Sequence, residues 1–210
     1  MEGSMPDLKL TYFDMHAGRG EPIRLALALA NIPFEDDRVP FSEWPERRTT
    51  TPFHQVPTLE VDGRVLTQTN SISRYVGKLA GLYPEDAMDA ARCDEIMDVV
   101  EDILHKVRVT FDIEDPEEKR RAREALAEGP ISLYLGNLER MLERGGGVYF
   151  AGGELSMADL KVFVWVRSLQ SGILDHIPAD LVERVAPGLA EHCRQIGTHP
   201  GVEAYYERFA

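Results

Sequence analysis

Every strand-like segment of this chain lies before Gly81, and the sequence after it carries helical spacing. This asymmetry restricts the fold more than any single motif. A chain that uses its strands early must build one small sheet, cover it, and continue as a helical body. LKLTYF (8–13) reads as a strand, EPIRLALALANI (21–32) as a helix rich in Leu and Ala, and FEDDRV (34–39) as a second strand. TLEVDGRVLTQ (58–68) is a hairpin around Asp62-Gly63, the dipeptide that supplies positive φ for a tight turn. TNSISRYVGKLAG (69–81) makes a helix that Gly81 ends. The order βαβ, a short helical link, then ββα predicts a mixed four-stranded sheet with helices packed on it.

From LYPEDAMDAARCDEI onward, segments 87–112, 116–143, 156–170, 178–196 and 200–208 are expected to be helices. Pro130 either starts a new helical piece or kinks the second of these, because proline removes one ladder bond. SMAD (156–159) places Ser and Asp three residues apart ahead of an apolar run, a capping box that nucleates a helix without chemistry. The boundary falls near GLYPED. This divides the chain into an α/β domain over 1–82 and an all-helical domain over 83–210.

Charge and cysteine usage narrow the function. With 36 acidic against 23 basic residues the net charge is −13, which opposes binding to nucleic acid or an anionic membrane. An anionic ligand needs local cations to overcome that field. No apolar run approaches the roughly 20 residues of a bilayer span, and MEGSMPDLKL lacks the layout of a secretory signal. MEGSM reads as an appended remnant ahead of Met5. Cys93 and Cys193 fit neither a CxxC nor a metal-ligand spacing, so a reducing cytoplasm is expected and no metal is required.

Several polar or aromatic residues fall on loops at one end of the expected sheet. Tyr12 ends the first strand and is either an aromatic plug or a hydroxyl offered to a ligand; Arg19 follows in the loop DMHAGRG. Trp44, Arg47, Arg48 and Gln55 occupy the link, where a Trp could close over a ligand and an Arg grip a carboxylate, or form a solvated face. Val56-Pro57 precedes the third strand. A cis bond there would turn Val56 toward an extended ligand, and a trans proline would simply open an edge strand. Gln68-Thr69 lies where strand gives way to helix, a ready carboxylate site or a plain helix cap.

Taken together, KLTYFDM, WPERRTTTPFHQVPTLEVDG, LTQTNSISRY and LSMADL resemble, in order and spacing, a cytosolic glutathione transferase, most like the sigma class. The resemblance covers essentially the whole chain. It implies a thioredoxin-like N-terminal domain followed by an all-α domain, with glutathione as co-substrate and a homodimer as the working form. By that resemblance Tyr12 is the catalytic tyrosine and Arg19 lies between the glutathione and substrate sites. Trp44 and Arg48 hold the glycyl end, Gln55, Val56 and Pro57 the cysteinyl unit, and Gln68 and Thr69 the γ-glutamyl carboxylate. Asp102, rather than Glu101, reaches the partner subunit's γ-glutamyl amine.

The chain departs from the family pattern in a loop one residue longer at 14–20, with Ala17 where an arginine commonly stands. Thr69, His54 and Arg48 replace serine, glycine and lysine. Phe13, His105 and Phe111 are the candidates to line an apolar hollow for small hydrophobic electrophiles. The reaction expected is attack by a tyrosine-stabilised thiolate. The alternatives are a glutathione-dependent isomerase or peroxidase sharing that thiolate, and a crystallin-like carrier without activity. Asp98, Glu101 and Asp102 share a helix face and form either a cation site between subunits or a solvated acidic surface.

Overall fold

The computed structural model describes residues 5–209; residues 1–4, most of the stretch read as a remnant, and the last residue lie outside the described residues. β1 (Leu8–Phe13), α1 (Glu21–Leu29) and β2 (Glu35–Val39) form a parallel βαβ unit, and β3 (Thr58–Val61) with β4 (Arg64–Thr67) forms the hairpin. Strand order is β2-β1-β3-β4, with β3 antiparallel to both neighbours, which is a mixed thioredoxin-like sheet. Asp62 and Gly63 turn the hairpin with φ of 47° and 78°. Both central residues are positive, as a type I′ turn requires.

The linking segment 40–57 is a series of short helical turns that includes α2 (Trp44–Arg47), and α3 (Thr69–Ala80) closes this half. Gly81 ends α3 in the left-handed region at φ 69°. β1 alternates strictly: Leu8, Leu10 and Tyr12 face the core, while Lys9, Thr11 and Phe13 lie half-buried on the other side. Ile23, Leu25 and Leu27 of α1 and Ile72 and Val76 of α3 complete that core.

The second half is helical. It contains α4 (Ala87–Val109), α5 (Pro116–Leu126), α6 (Ser132–Arg144), α7 (Met157–Gln170), α8 (Leu181–Val185), α9 (Pro187–Gly197) and α10 (Pro200–Glu207). Asp86 caps α4 by accepting from the N–H groups of Met88 and Asp89, and Asp115 caps α5. Pro130 lies in a π-turn (Ala127–Ile131) that joins α5 to α6, so the 116–143 segment bends there without ending. The expected single helix over 178–196 is two, because Pro187 opens α9 where Ala186 leaves helical geometry. α7 is buried along nearly its whole length, and α1, α3, α4 and α9 pack around it. Among the described helices none is long and apolar enough to cross a membrane.

Candidate functional site

Strand register brings the candidate residues to one end of the sheet. Thr11 pairs with Thr58, and Thr58 pairs with Thr67. Because β3 runs against β1 and β4, the residues beyond that row all lie at the same end of the sheet: Tyr12 after Thr11, Val56-Pro57 before Thr58, and Gln68-Thr69 after Thr67. Phe13 pairs with Val39, so the chain leaving β2 also starts there. It folds Phe41 and Trp44 against Phe13, with ring centroids 4.7 and 5.1 Å apart.

Tyr12 is both plug and presented hydroxyl. Its ring is buried on the core face, 5% exposed. The hydroxyl oxygen accepts a hydrogen bond from the backbone N–H of Arg19 at 2.9 Å. With the oxygen so engaged, the phenol proton remains for donation. Burial pushes the Tyr12 phenol above its ordinary value of 10.0, and the Arg19 N–H and charge pull back only partly. The group is therefore a neutral donor at any pH where the protein would work.

Arg24 holds this strand end from below. Fully buried on α1, it donates to the carbonyls of Phe13 at 3.2 Å and Met15 at 3.0 Å, and to Asp36 at 2.8 Å. Its guanidinium carbon lies 5.8 Å from the Tyr12 ring centre. The longer loop also has a use: His16 pairs with Glu21 at 3.2 Å and packs on Phe209, ring centres 4.3 Å apart, tying the C-terminal end to the loop.

The other residues expected to hold a ligand are arranged as follows. Val56-Pro57 is cis, with Pro57 buried, Val56 half-buried and Gln55 exposed. Gln68 takes the N-cap position at φ 69° without a side-chain cap, and Thr69 is the first residue of α3. Of the two readings of Gln68-Thr69, the plain helix cap has no side-chain cap bond here, since Gln68 holds the N-cap position and Thr69 follows it, buried, in the first turn. Trp44 is half-buried and Arg48 exposed, while Arg47 pairs with Asp37 at 2.5 Å.

On α4 the three acidic residues part company. Asp98 accepts from the side-chain amide of Asn70, Glu101 turns inward, and Asp102 is exposed on a groove of about 610 Å³ between α4 and α6. Among the described residues no group of three His, Cys, Asp or Glu side chains is placed to hold a metal ion. Glu101 bonds Arg19 Nε through one oxygen at 2.7 Å and faces Lys161 Nζ through the other at 2.8 Å. Burial opposes its charge, but Lys161 and Arg19 hold the carboxyl below its ordinary value.

Above Arg19 the two halves leave a hollow lined by Gly18, Pro22, Leu104, Lys161 and Trp165, among others. It has about 20 Å³ of free space, room for about one water. Phe13, His105 and Phe111 are not among its lining residues. Phe13 meets the Tyr12 ring edge-on at 5.3 Å but is turned to Phe41 and Trp44, His105 is exposed, and Phe111 lies beyond the end of α4 under the Arg123 guanidinium. Arg24, Lys161 and Trp165 belong to this region although no motif marks them. Arg24 and Lys161 nevertheless had a visible sign, a lone cation inside an apolar helical run (IRLALAL, LKVFVWV).

Residues 8–78 match the family profile described as "Glutathione S-transferase, N-terminal domain", and residues 101–208 match "Glutathione S-transferase, C-terminal domain". Glutathione S-transferase 1 of Ascaris suum is 36% identical over 84% of this chain and 87% of its own length. The structure of a prostaglandin synthase D of Nilaparvata lugens superposes with a TM-score of 0.86 at 31% identity, covering 96% of this chain and 98% of the other. A sigma class transferase of Fasciola hepatica gives 0.83 at 27% identity, covering 99% and 98%.

Proposed function

Since this chain belongs to the glutathione S-transferase family and is an enzyme of that kind, we propose that it activates the glutathione thiol through Tyr12 for attack on small hydrophobic electrophiles. The observation that carries this reading is the Arg19 N–H on the Tyr12 oxygen, which leaves a neutral phenol with its proton free. A thiol of pKa about 8.5 needs a shift of roughly two units, about 2.7 kcal/mol, to be mostly thiolate near neutrality. A hydrogen bond to a charged group contributes about 1.5–3 kcal/mol. One phenol donor meets most of that need, and the Arg19 charge adds to it.

In this reading residues up to 82 form the glutathione domain. Gln68, Thr69 and the first turn of α3 take the γ-glutamyl carboxylate, where free backbone N–H groups and the helix dipole favour an anion. Gln55 and the Val56 backbone ahead of Pro57 take the cysteinyl unit, and Trp44 with Arg48 the glycyl end. The helical domain from 83 onward supplies the electrophile hollow, and Asp102 completes the site of a second subunit in a cytoplasmic homodimer. The exposed Phe53, at φ 58°, and the groove that Asp102 borders are features suited to self-association. A sigma-class assignment is supported by the Fasciola hepatica likeness.

The likeness to a prostaglandin synthase favours a second reading, glutathione-dependent isomerisation by the same thiolate. The ordered Tyr12–Arg19 arrangement speaks against an inactive carrier. The test is Tyr12→Phe in a steady-state conjugation assay. Retained glutathione affinity with turnover reduced about tenfold or more supports Tyr12 as the donor, and unchanged turnover rejects it.

A further inference from the structure

Lys161 is a buried cation that the reading above does not use. It interrupts the apolar face of α7, and its side chain is 2% exposed. Three acceptors face Nζ: the carbonyl of Met97 at 3.2 Å, Glu101 Oε1 at 2.8 Å and the side-chain oxygen of Asn70. Asn70 and Met97 accept hydrogen bonds from Nζ, and the Glu101 carboxylate opposite favours its charge, although burial pulls the group below the ordinary lysine value of 10.5.

Those contacts run to both ends of the proposed site. Through Glu101 the ammonium reaches Arg19, whose N–H engages Tyr12. Through Asn70 it reaches the first turn of α3, next to Thr69. The charges then add up simply. Arg19 and Lys161 together outweigh Glu101, so Arg19 keeps part of its positive potential for Tyr12. Asp98 accepts from the other side-chain atom of Asn70 and adds its carboxylate to those that favour the Lys161 charge. The remaining charged neighbour of the Tyr12 ring, Arg24, is engaged by Asp36 and Glu21 and is independent of Lys161.

We propose that Lys161 is a positioning residue for thiol activation. Shared by Glu101 and Asn70, it orients Arg19 against Tyr12, keeps the Arg19 charge from being cancelled, and locks the α3 turn that receives the carboxylate. This rests on the reading that Tyr12 serves a glutathione sulfur. Without the ammonium, Arg19 and Glu101 become a closed neutral pair and the field at the sulfur falls.

The test is the pKa of enzyme-bound glutathione, read from thiolate absorbance against pH, in the wild type and in Lys161→Met, Glu101→Gln and Tyr12→Phe. Lys161→Met, close in length and apolar, raises that pKa by about half a unit to one unit and raises the glutathione KM severalfold. Glu101→Gln keeps an acceptor for Arg19 but removes the neutralising charge, so it does not raise the pKa. A role in packing alone would move both variants upward together, and that outcome overturns the proposal. An unmoved pKa in Lys161→Met also overturns it, provided Tyr12→Phe does raise the value. If Tyr12→Phe leaves the value unmoved, the reading of Tyr12 fails and the proposal fails with it. Should Lys161→Met not fold, Lys161→Gln supplies the same comparison.

Discussion

Gly20 lies so close to the ring of Tyr12 that a Cβ at this position would fall 2.3 Å from the ring's Cδ1. Gly18, two residues earlier, bears on the same side chain: its Cβ would lie 2.5 Å from the hydroxyl oxygen, at a φ of +70°. One glycine makes room for the ring and the other for the oxygen. The loop that carries Arg19 is thereby laid directly over the phenol.

Gly20→Ala should therefore act on Tyr12. The added methyl must push the ring or the loop away, which breaks the Arg19 N–H bond to the hydroxyl. Overpacking of this kind costs about 1–3 kcal/mol, measurable as a lowered urea midpoint with an unchanged slope. Conjugation turnover should fall in the folded variant as it does in Tyr12→Phe. Full turnover in a folded Gly20→Ala protein would mean that the hydroxyl needs no fixed position.

Thr69→Val should separate binding from chemistry. The hydroxyl of Thr69 is not used to cap α3, so its loss leaves the helix start intact. If it holds the glutathione carboxylate, the interaction is the same in ground and transition states. KM for glutathione then rises about tenfold, equivalent to about 1.4 kcal/mol, with kcat nearly unchanged. A kcat that falls while KM stays constant would contradict this.

The parts of the site that rest on short-range chemistry were legible in the sequence. Asp62-Gly63 dictates its own turn, strand alternation buries Tyr12 and leaves Phe13 half-buried, and the register of a two-residue hairpin then carries Gln68 back to the end of the sheet where Tyr12 lies. What spacing cannot supply is the partner of a buried charge. Arg24 and Lys161 look like defects in apolar helices until the carbonyls of Phe13 and Met97 and the carboxylates of Asp36 and Glu101 are brought to them. The same limit applies on α4. Glu101 and Asp102 are adjacent in sequence, and only the position of α7 decides which one turns inward.

Asp159→Ala should be the most destabilising single change outside the site. Its fully buried carboxylate accepts from the N–H of Phe150 at 3.1 Å and from the Ser156 N–H and hydroxyl at 2.8 and 2.6 Å. His192 Nε2 lies 3.0 Å away. Truncation strands several buried polar groups at once and removes the reciprocal half of the α7 capping box, a loss of about 3–5 kcal/mol. Guanidinium unfolding measures it, and a loss within about 1 kcal/mol would show that water replaces the carboxylate.

Acid should loosen the link between the two halves through Glu101. Burial raises the carboxyl's pKa, but Lys161 and Arg19 together bring it below the ordinary 4.5. A depressed carboxyl adds stability that is fully present above about 4.5 and is lost as pH falls through the folded-state value. Glu101→Gln has no such proton to take up. Between about pH 6.5 and 3.5 the wild type should lose more stability than Glu101→Gln, because other acidic groups contribute alike to both. Denaturant midpoints across that range measure the difference. Parallel curves would mean that Glu101 gains nothing from its two cations on folding, and that the contacts from Arg19 and Lys161 only offset the cost of burying it.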